Sequence, residues 1–448
     1  MSVSSKYIYP NQLSIIRFFR DAEGVRRNPI PFHRRYFEKF GDSFSIRIGF
    51  SKYIILSRDN EVAQYILVKN QKNYHKSKFQ SVYLSKYLGS GLLTSDGDFW
   101  LKQRRLIQPA FHKQKMNQLV DNMNSTIASE LDNLIEAMPI DLFPIMSNLA
   151  FNVVAKSLFQ LSAAEDKFQR IKFIIEEVQN FLIKEIRLPH KAWWFSLSGQ
   201  VSKHLKLAEE NNTIIRKIIE ERKTSGEEIN DLLNMLLETR YEDTGEGMSI
   251  EQLIDEIKVL FIAGHETTAN ALTFTLQLLG GNPEVQQKVF QEIMEIESQT
   301  DNVIEQLQKM AYTNAVLNES MRLYPPAWIT DRQNLEDDSL AQFKIKKDTL
   351  IGVSFYELHR NPKYWSNPDE FIPERFLGEQ KKESMQYFYP FGAGPRMCIG
   401  TGFAIYEMCL TIAQIVKKYR IQSNNDAVQF NPLITLKPVN VEVLFFKR

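Results

Sequence analysis

Apolar residues recur at three- and four-residue steps along much of the chain. This spacing places them on one face of an α-helix, and it predicts helical structure within residues 116–159, 166–186, 214–222, 229–239 and 403–419. Short β-like runs predict strands over residues 43–48, 53–56, 343–345 and 349–354. The expected fold is therefore mainly α with a minor β part.

One long helix is delimited by signals at both ends. Ser249 is a suitable N-cap, and Gln252 three residues later completes a capping box. Gly280 and Gly281 mark the end of the helix. The segment between these signals would form a rod of roughly 45 Å, long enough to cross the whole molecule.

The interior of this predicted helix contains the segment AGHETT, residues 263–268. It combines a glycine, a carboxylate and two β-branched hydroxyls, most of which are disfavoured in the middle of a helix. A requirement other than helix stability is therefore expected to select these residues.

Composition indicates a folded protein without a general electrostatic partner. The chain has 448 residues, of which 43% are hydrophobic and 24% charged, so it can bury a large core. Its formal net charge of +1 gives no overall footprint for nucleic acid or an acidic membrane surface, and a partner must be recognised locally. Because the sequence has no repeat, low-complexity tract or long linker, we expect a single domain over residues 1–448.

The first fifty residues and the cysteines bear on localisation. Charged residues and Pro10 interrupt residues 1–50, which contain neither a membrane-spanning run nor the pattern of a signal peptide. The two cysteines, Cys398 and Cys409, are separated by a helix-like sequence that gives them no obvious way to meet. We therefore expect a cytoplasmic protein without a disulfide framework or a membrane anchor.

The segment FGAGPRMCIG, residues 391–400, precedes a predicted helix. A thiolate at a helix start receives backbone N–H groups and the positive end of the helix dipole, so it can stay ionised as a metal ligand. Gly394 and Gly400 permit tight turns and close approach of a flat cofactor, and Arg396 offers a cation to an anionic substituent. The alternative for Cys398 is an ordinary buried free cysteine in a loop.

This segment resembles the haem-binding signature of cytochromes P-450, F-x-x-G-x-R-x-C-x-G, at Phe391, Gly394, Arg396, Cys398 and Gly400. Other landmarks of that family follow in the expected order: Trp100-x-x-x-Arg104, residues 263–268, Glu319-x-x-Arg322 and Pro373-Glu374-Arg375-Phe376. The resemblance extends from about Phe32 to the C-terminus, and local phrases such as residues 322–329 resemble bacterial members related to the fatty-acid and carotenoid hydroxylases. It implies the triangular helical haem domain of the family, with no fused reductase.

The resemblance also implies roles for individual residues. Cys398 would bind the iron of haem b, and Glu319, Arg322 and Arg375 would form a buried scaffolding network instead of a surface ion pair. The remaining cofactor-binding positions, which include the donors to the haem propionates, are Trp100, Arg104, Arg332, Phe391, Gly394 and Arg396. For the cations the alternative is a solvated surface position, and for Trp100 it is the core.

Glu266 and Thr267 resemble the acid–alcohol pair of oxygen-activating members and are the predicted catalytic residues. Reductive cleavage of O₂ needs two protons, which a hydroxyl backed by a carboxylate and waters in a locally opened helix can relay. The alternative is a solvent-facing Glu266. His265 is interpreted as a helix-face residue, and Cys409 as core packing.

The resulting hypothesis is a bacterial haem-thiolate monooxygenase, monomeric and fed with electrons from NAD(P)H by a separate ferredoxin and its reductase. The alternatives are a peroxide-driven peroxygenase, a haem-thiolate isomerase and a haem sensor or carrier. The resemblance implies that the pocket is formed by residues 77–93, 168–195, 326–330 and 431–436. Aromatic residues in these segments favour an uncharged or amphipathic small molecule of fatty acyl, terpenoid or carotenoid type. The rival is a methoxylated sugar or aromatic ether, for which the net reaction would be O-demethylation. The aromatic residues in question are Phe79, Tyr83, Phe181, Trp193, Trp194, Phe195 and Trp328.

Overall fold

The protein is described by a computed structural model that covers residues 7–48, 52–132, 134, 136–160, 166–226, 229–423 and 428–448. Helices dominate it. Its α-helices, in chain order, are α1 (Ile15–Arg27), α2 (Pro29–Phe40), α3 (Asn60–Gln64), α4 (Ser85–Leu88), α5 (Gly97–Ile107), α6 (Lys113–Leu131), α7 (Leu142–Phe159), α8 (Asp166–Arg187), α9 (Ala192–Leu197), α10 (Gln200–Ser225), α11 (Leu232–Glu238), α12 (Ile250–Gly281), α13 (Pro283–Gln299), α14 (Val303–Lys309), α15 (Ala311–Leu323), α16 (Phe355–Leu358), α17 (Gln380–Ser384) and α18 (Thr401–Lys418).

The strands are short. In chain order they are β1 (Gln12–Leu13), β2 (Ser43–Ile48), β3 (Lys52–Ser57), β4 (Tyr74–His75), β5 (Ile140–Asp141), β6 (Ile329–Asn334), β7 (Asp338–Leu340), β8 (Phe343–Ile345), β9 (Leu350–Ser354), β10 (Tyr419–Ser423), β11 (Phe430–Pro432), β12 (Leu436–Pro438) and β13 (Glu442–Lys447). The prediction of a mainly α fold with a minor β part is confirmed.

The chain divides into two compact units, each described here by itself. Unit 1 is built from the described residues of 1–77, 315–398 and 430–437, and unit 2 from those of 78–314, 399–429 and 438–448. Both units therefore combine segments that are distant in sequence. The expectation of one domain over residues 1–448 stays a prediction.

Unit 1 contains a six-stranded mixed sheet in the order β1-β2-β3-β9-β6-β4. Its centre is the parallel pair β3 and β9, in register at Ile55 and Ile351, and both side chains are fully buried. Apolar residues of the sheet pack with Val62, Ile66 and Leu67 in one core cluster. A second cluster of unit 1 joins α2 to the antiparallel pair β2 and β3.

Unit 2 is a helical assembly around α12. This helix packs against α7, α10, α13 and α18, and also against β10, which pairs with β13 in a small antiparallel sheet. Most of its residues between Thr268 and Gly280 are buried, as expected for a helix surrounded by others. Among the residues that the structure describes, no helix combines the length and the apolar character needed to cross a membrane.

The N-terminus of α12 modifies the prediction of a capping box. The Ser249 hydroxyl accepts a hydrogen bond from the Gln252 N–H at 3.1 Å, as expected. The Gln252 side chain, however, donates to the Ser90 carbonyl at 3.2 Å and to the Glu256 carboxylate at 2.8 Å. The prediction of a full capping box is therefore wrong, because the Gln252 side chain bonds Ser90 and the next turn of α12 instead of returning to its own helix start.

The helices predicted over 166–186 and 403–419 are confirmed as α8 and α18, to within two residues at each end, while the other three predictions differ in extent. The helical pattern over 116–159 is interrupted between α6 and α7, because Asp141 caps a new helix by accepting from the Phe143 N–H at 3.3 Å. The pattern over 214–222 is a small part of α10, which is 26 residues long. Residues 229–239 give only α11, which begins at Leu232 after the N-cap Asp231.

Candidate functional site

The cysteine loop, residues 391–398, places a thiol at the surface of unit 1. It contains a 3₁₀ turn, Gly394–Arg396, and then Cys398, whose N–H donates to the Phe391 carbonyl at 2.9 Å. Cys398 is exposed and precedes the first residue of α18, Thr401, by three positions. In contrast, Cys409 is 1% exposed within α18, where burial raises the pKa of its thiol to about 12. The prediction that Cys409 is core packing is confirmed.

Gly394 fits its position for two separate reasons. Its φ of +69° lies in the left-handed region, which favours glycine. A Cβ at this position would also lie 2.0 Å from the carbonyl oxygen of Leu67, far closer than any side chain could approach. The glycine therefore allows the cysteine loop to pack directly on the backbone of a π-helical turn, Tyr65–Lys69.

Asp338 binds the π-helical turn and the residues that follow it. Its carboxylate accepts hydrogen bonds from the Tyr65 hydroxyl at 3.1 Å, the Asn70 amide at 2.9 Å and the Tyr74 hydroxyl at 2.7 Å. The amide of Asn73 also donates to it, at 3.2 Å. The π-helical turn on which the cysteine loop packs is thus held by hydrogen bonds to a carboxylate. Such charge-assisted hydrogen bonds are stronger than those between neutral groups. Sequence analysis missed Leu67 and Asp338, which have no motif around them.

The network of Glu319, Arg322 and Arg375 is confirmed. Arg322 donates to Glu319 through Nε at 2.7 Å and through Nη2 at 2.8 Å, and both side chains are fully buried. Arg375 donates to the same carboxylate through Nε at 3.3 Å. Arg322 additionally bonds the carbonyls of His359, Pro368 and Glu370 at 2.7–2.9 Å. A bidentate pair whose remaining donors are satisfied is the geometry in which a buried charge pair can be retained.

His359 connects this network to Tyr389, two residues before the cysteine loop. Arg322 donates to the His359 carbonyl at 2.8 Å, while the His359 Nε2 accepts from the Tyr389 N–H at 2.9 Å. An Nε2 acceptor places the proton of a neutral imidazole on Nδ1. Burial, reinforced by the cations Arg322 and Arg360, lowers the pKa of His359 well below its ordinary value, in agreement with a neutral ring. The only sequence signal for this role is a histidine two residues before an Asn-Pro pair.

Within unit 2, α7 contacts one side of the AGHETT segment of α12. A Cβ on Gly264 would lie 3.1 Å from a methyl of Val154, so the glycine lets the two helices approach closely. His265 is 4% exposed, and its Nε2 shares a hydrogen bond of 2.9 Å with the Ser147 hydroxyl. The expectation that His265 is a helix-face residue is refined, because its face is buried against α7.

The opposite side of the segment carries the predicted catalytic residues. Ala263 is exposed and Glu266 and Thr267 are half-buried, although the following turns of α12 are buried. Residues at i, i+3 and i+4 lie on one helix face, so these three residues form a shared strip. The Thr267 hydroxyl donates to the Ala263 carbonyl at 2.6 Å, and α12 is continuous through this turn. The helix is therefore not opened here as the relay hypothesis supposed.

The other predicted donors lie on separate elements. In unit 2, α5 carries Trp100, which is 6% exposed, and Arg104, which is half-buried one turn further along the same face. In unit 1, Arg332 is buried on β6, where its Nη1 donates to the Asp331 carbonyl at 2.6 Å. Arg396 is half-buried in the cysteine loop.

Five of the seven aromatic residues named for the expected pocket segments divide into two groups; of the other two, Phe79 is half-buried and Tyr83 is 54% exposed. Phe181, Phe195 and Trp328 are at most 6% exposed and belong to the core, and the Trp328 indole donates to the Leu433 carbonyl at 3.0 Å. Trp193 and Trp194 are 64% and 51% exposed. Each group therefore contains residues that sequence alone could not sort into core and surface.

The donor set has the chemistry that haem requires. The exposed thiol of Cys398 would suit iron as a ligand, and guanidinium groups would suit the carboxylates of a porphyrin. Gly394 fixes the path of the cysteine loop against the Leu67 carbonyl. The residues present therefore fit this cofactor.

Comparisons with known proteins agree with this chemistry. The sequence model of the family described as Cytochrome P450 matches residues 11–445. The chain is similar to the cyclooctat-9-en-7-ol 5-monooxygenase of Streptomyces melanosporofaciens, with 30% identity over 85% of this chain and 83% of the relative. Cyclooctatin synthase of the same organism is 31% identical over the same shares. A crystal structure of the cytochrome P450DA heme domain superposes with a TM-score of 0.84 at 21% identity, covering 98% of each chain.

Proposed function

Because the chain belongs to the cytochrome P450 family and is a monooxygenase-type oxidoreductase, we propose that it inserts one oxygen atom of O₂ into a C–H bond of a small organic molecule. Electrons would come from NAD(P)H through a separate ferredoxin and its reductase. The observation that carries the proposal is the exposed thiol of Cys398 within a complete family signature.

Cys398 is the proposed ligand of the iron of haem b. Supporting this choice, the other cysteine, Cys409, is buried and its thiol resists ionisation, so it is a poor ligand. When bound, a haem with a thiolate ligand supplies the O₂ activation, since the thiolate pushes electron density toward iron and favours O–O cleavage. The Phe391 carbonyl holds the Cys398 N–H, while Gly394 fixes the path of the loop. Trp100, Arg104, Arg332 and Arg396 are the proposed donors to the propionates.

Glu266 and Thr267 are the proposed proton-delivering residues. Their position on the less buried face of α12 supports this role, since a relay needs access to both the reacting oxygen and the solvent. The Thr267 hydroxyl bonds the Ala263 carbonyl in the resting geometry and keeps its oxygen as an acceptor for an incoming proton. Glu266 one residue earlier would replace the proton that Thr267 donates.

The substrate class is proposed as a lipophilic or amphipathic molecule, hydroxylated at an unactivated carbon. Two relatives support this choice, one named as a monooxygenase of cyclooctat-9-en-7-ol and the other as cyclooctatin synthase. If the attacked carbon carries an ether oxygen, the same insertion gives a hemiacetal that collapses, and the reaction becomes O-demethylation. We further propose that the enzyme is bacterial, cytoplasmic and monomeric.

The decisive experiment combines a ligand test with a turnover test. Reduced protein with CO should show the red-shifted Soret band of thiolate ligation, C398A should lose this band, and C409A should keep it. Turnover of a hit from a spin-state titration should need NADPH, a ferredoxin and a reductase. A band lost in C409A but kept in C398A would contradict the assignment of Cys398 as the iron ligand. Turnover with NADPH alone would contradict the need for a separate ferredoxin and reductase.

The main competing activity, a peroxygenase, differs in one observable. It would convert the same substrate with hydrogen peroxide at a rate comparable to or above that of the NADPH system. The carboxylate and hydroxyl of Glu266 and Thr267 favour the O₂-dependent route, because reduction of O₂ takes up two protons from the protein and solvent, whereas hydrogen peroxide brings its own. A haem sensor or carrier, the remaining alternative, would bind the compounds of the titration without any product.

A further inference from the structure

The cysteine loop packs on a segment with an uncommon backbone conformation. The π-helical turn Tyr65–Lys69 is closed by a hydrogen bond of 2.8 Å from the Asn70 N–H to the Tyr65 carbonyl. Turns of this kind are rare and are frequently found at functional sites. Because the hydrogen bond spans five residues instead of the four of an α-helix, one more residue enters the turn. The π-helical form therefore decides where the Leu67 carbonyl lies.

Asp338 on β7 connects the two ends of this turn. The hydroxyl of Tyr65, the first residue of the turn, donates to the Asp338 Oδ1 at 3.1 Å. The amide of Asn70, the residue after the turn, donates to Oδ2 at 2.9 Å, and the Tyr74 hydroxyl donates to the same oxygen at 2.7 Å. An ionised carboxylate accepts at both oxygens and donates none, so it suits this set of donors. An amide of the same shape would lose one of the two acceptors.

The route from this carboxylate to the cysteine loop is short and contains no flexible link. A Cβ on Gly394 would lie 2.0 Å from the Leu67 carbonyl oxygen, so the loop and the turn meet backbone to backbone. Leu67 belongs to the same core cluster as Leu340, two residues after Asp338, and Ala393 of the cysteine loop packs against that cluster. A close-packed interior transmits a displacement instead of absorbing it. A shift of the turn is therefore passed on to the loop.

We propose that Asp338 is a positioning residue for the iron ligand: by holding the π-helical turn it fixes the cysteine loop, and with it the sulfur of Cys398. This inference rests on the proposed function, since it gives Asp338 a role toward the haem that Cys398 would bind. Asp338 acts through Leu67 and Gly394 in this role. A thiolate held in one place donates electron density to the iron to a defined extent, and the donation is a property that the protein can tune.

The test compares two neighbouring carboxylates in the haem-loaded, full-length protein. D338N keeps the shape of the side chain but replaces one acceptor oxygen with a group that donates. D337N is the matched control on the same chain segment. The Asp337 carboxylate accepts from the Tyr7 hydroxyl at 2.7 Å and from the Lys347 N–H at 2.9 Å.

Hydrogen exchange followed by mass spectrometry measures the coupling between the two segments. In D338N, the amides of residues 65–70 and 391–398 should exchange at least about tenfold faster than in the wild type, because lost charge-assisted hydrogen bonds loosen both segments. The most informative amide is the Cys398 N–H, which bonds the Phe391 carbonyl. D337N should match the wild type in both segments. Faster exchange confined to residues 65–70 would overturn the proposal, because the turn would then loosen without affecting the cysteine loop.

The reduction potential of the iron is the second measurement. Thiolate donation stabilises ferric iron, so a displaced thiolate should raise the potential of D338N above those of the wild type and D337N. D338N should also lose part of the red-shifted CO band at matched haem content. Equal potentials and equal bands in the three proteins would refute the role of Asp338 alone. A wild type without the red-shifted band would refute Cys398 as the ligand, and this inference with it.

Y65F provides a milder variant, which answers the question even if D338N does not fold. It removes one donor to Asp338 and leaves the carboxylate in place. Its effects on exchange and on potential should be smaller than those of D338N and in the same direction. Y7F is its matched control, since it removes the tyrosine hydroxyl that donates to Asp337. Y65F and Y7F that behave alike in both measurements would contradict a role for the bonds between Asp338 and the turn.

Discussion

Gly394 packs so closely on Leu67 that a methyl group at the glycine would overlap the leucine carbonyl oxygen, at 2.0 Å. The neighbouring Gly392 offers a natural comparison. It also has a positive φ, +74°, but a Cβ there would meet nothing within 4 Å. The two positions therefore separate the cost of backbone strain from the cost of a steric clash in the same loop.

We predict that G392A is tolerated and G394A is not. G392A should cost about 1 kcal/mol of stability, the strain of alanine at positive φ, and should keep the thiolate CO band. G394A adds a clash with the main chain that only a shift of the cysteine loop can relieve, so most of the protein should lose that band. CO difference spectra at matched haem content measure this. Equal behaviour of the two variants would show that the contact with Leu67 does not position the ligand.

The buried ion pair gives a second prediction. E319Q removes the partner of Arg322 and Arg375 while their guanidinium groups stay buried, so it should reduce the free energy of unfolding by about 3–5 kcal/mol. The matched control is Arg170 with Glu210, which has the same bidentate geometry at 2.6 and 2.8 Å but is about two-fifths exposed. E210Q should change the free energy of unfolding, measured with urea, only slightly, because exposed ion pairs are screened by water and salt. Similar losses in both variants would contradict a dominant effect of burial.

Contacts between residues that are close in sequence could be predicted, whereas contacts between distant residues could not. The pair Glu319 and Arg322 is three residues apart on one helix, and the strand Phe343–Ile345 has a local pattern, so both were predictable. The contact of Gly394 with Leu67 joins positions more than three hundred residues apart, and a glycine does not reveal its neighbour. His359 and Asp338 act through a backbone carbonyl and through tyrosine hydroxyls, which leave no spacing to detect.

The spacing of apolar residues does not reveal a helix boundary where the same spacing continues from one helix into the next. Residues 116–159 keep the three- and four-residue steps across the interruption between α6 and α7, and only the cap at Asp141 marks the new start. The anomaly within α12 was correctly identified as a departure from helix propensity. Its cause, however, is in part the approach of Val154 to Gly264, which only the tertiary structure reveals.

Thr267 provides a third prediction. T267A should still bind substrate and haem, but it should divert electrons to hydrogen peroxide and lower the product formed per NADPH by about tenfold, because a proton donor is lost. T273A is the matched control, since the Thr273 hydroxyl donates to the Ala269 carbonyl of the same helix at 2.7 Å in the same i to i−4 geometry. T273A removes that hydrogen bond and should leave the product formed per NADPH unchanged. Uncoupling by T273A to the same extent would reduce Thr267 to a structural residue.

The last prediction concerns Glu407, which the proposed chemistry does not use. This residue of α18 is fully buried, and neither carboxyl oxygen has a hydrogen-bond partner within the described parts of the chain. Burial raises the pKa of the Glu407 carboxyl well above its ordinary value, so the native protein holds it neutral.

A raised native pKa fixes the sign of the pH dependence. In the unfolded chain Glu407 ionises near its usual pKa of about 4.3, while in the native protein it stays protonated. The stabilising contribution is complete below that pKa and declines as pH rises toward the native pKa, by up to about 1.4 kcal/mol per pH unit. E407Q cannot ionise at this position. The free energy of unfolding of the wild type, measured relative to that of E407Q by urea unfolding, should therefore fall between pH 5 and 8. E295Q, which alters an exposed carboxylate of α13, should instead run parallel to the wild type. A constant difference between the wild type and E407Q across this range would mean that Glu407 is ionised in the native protein.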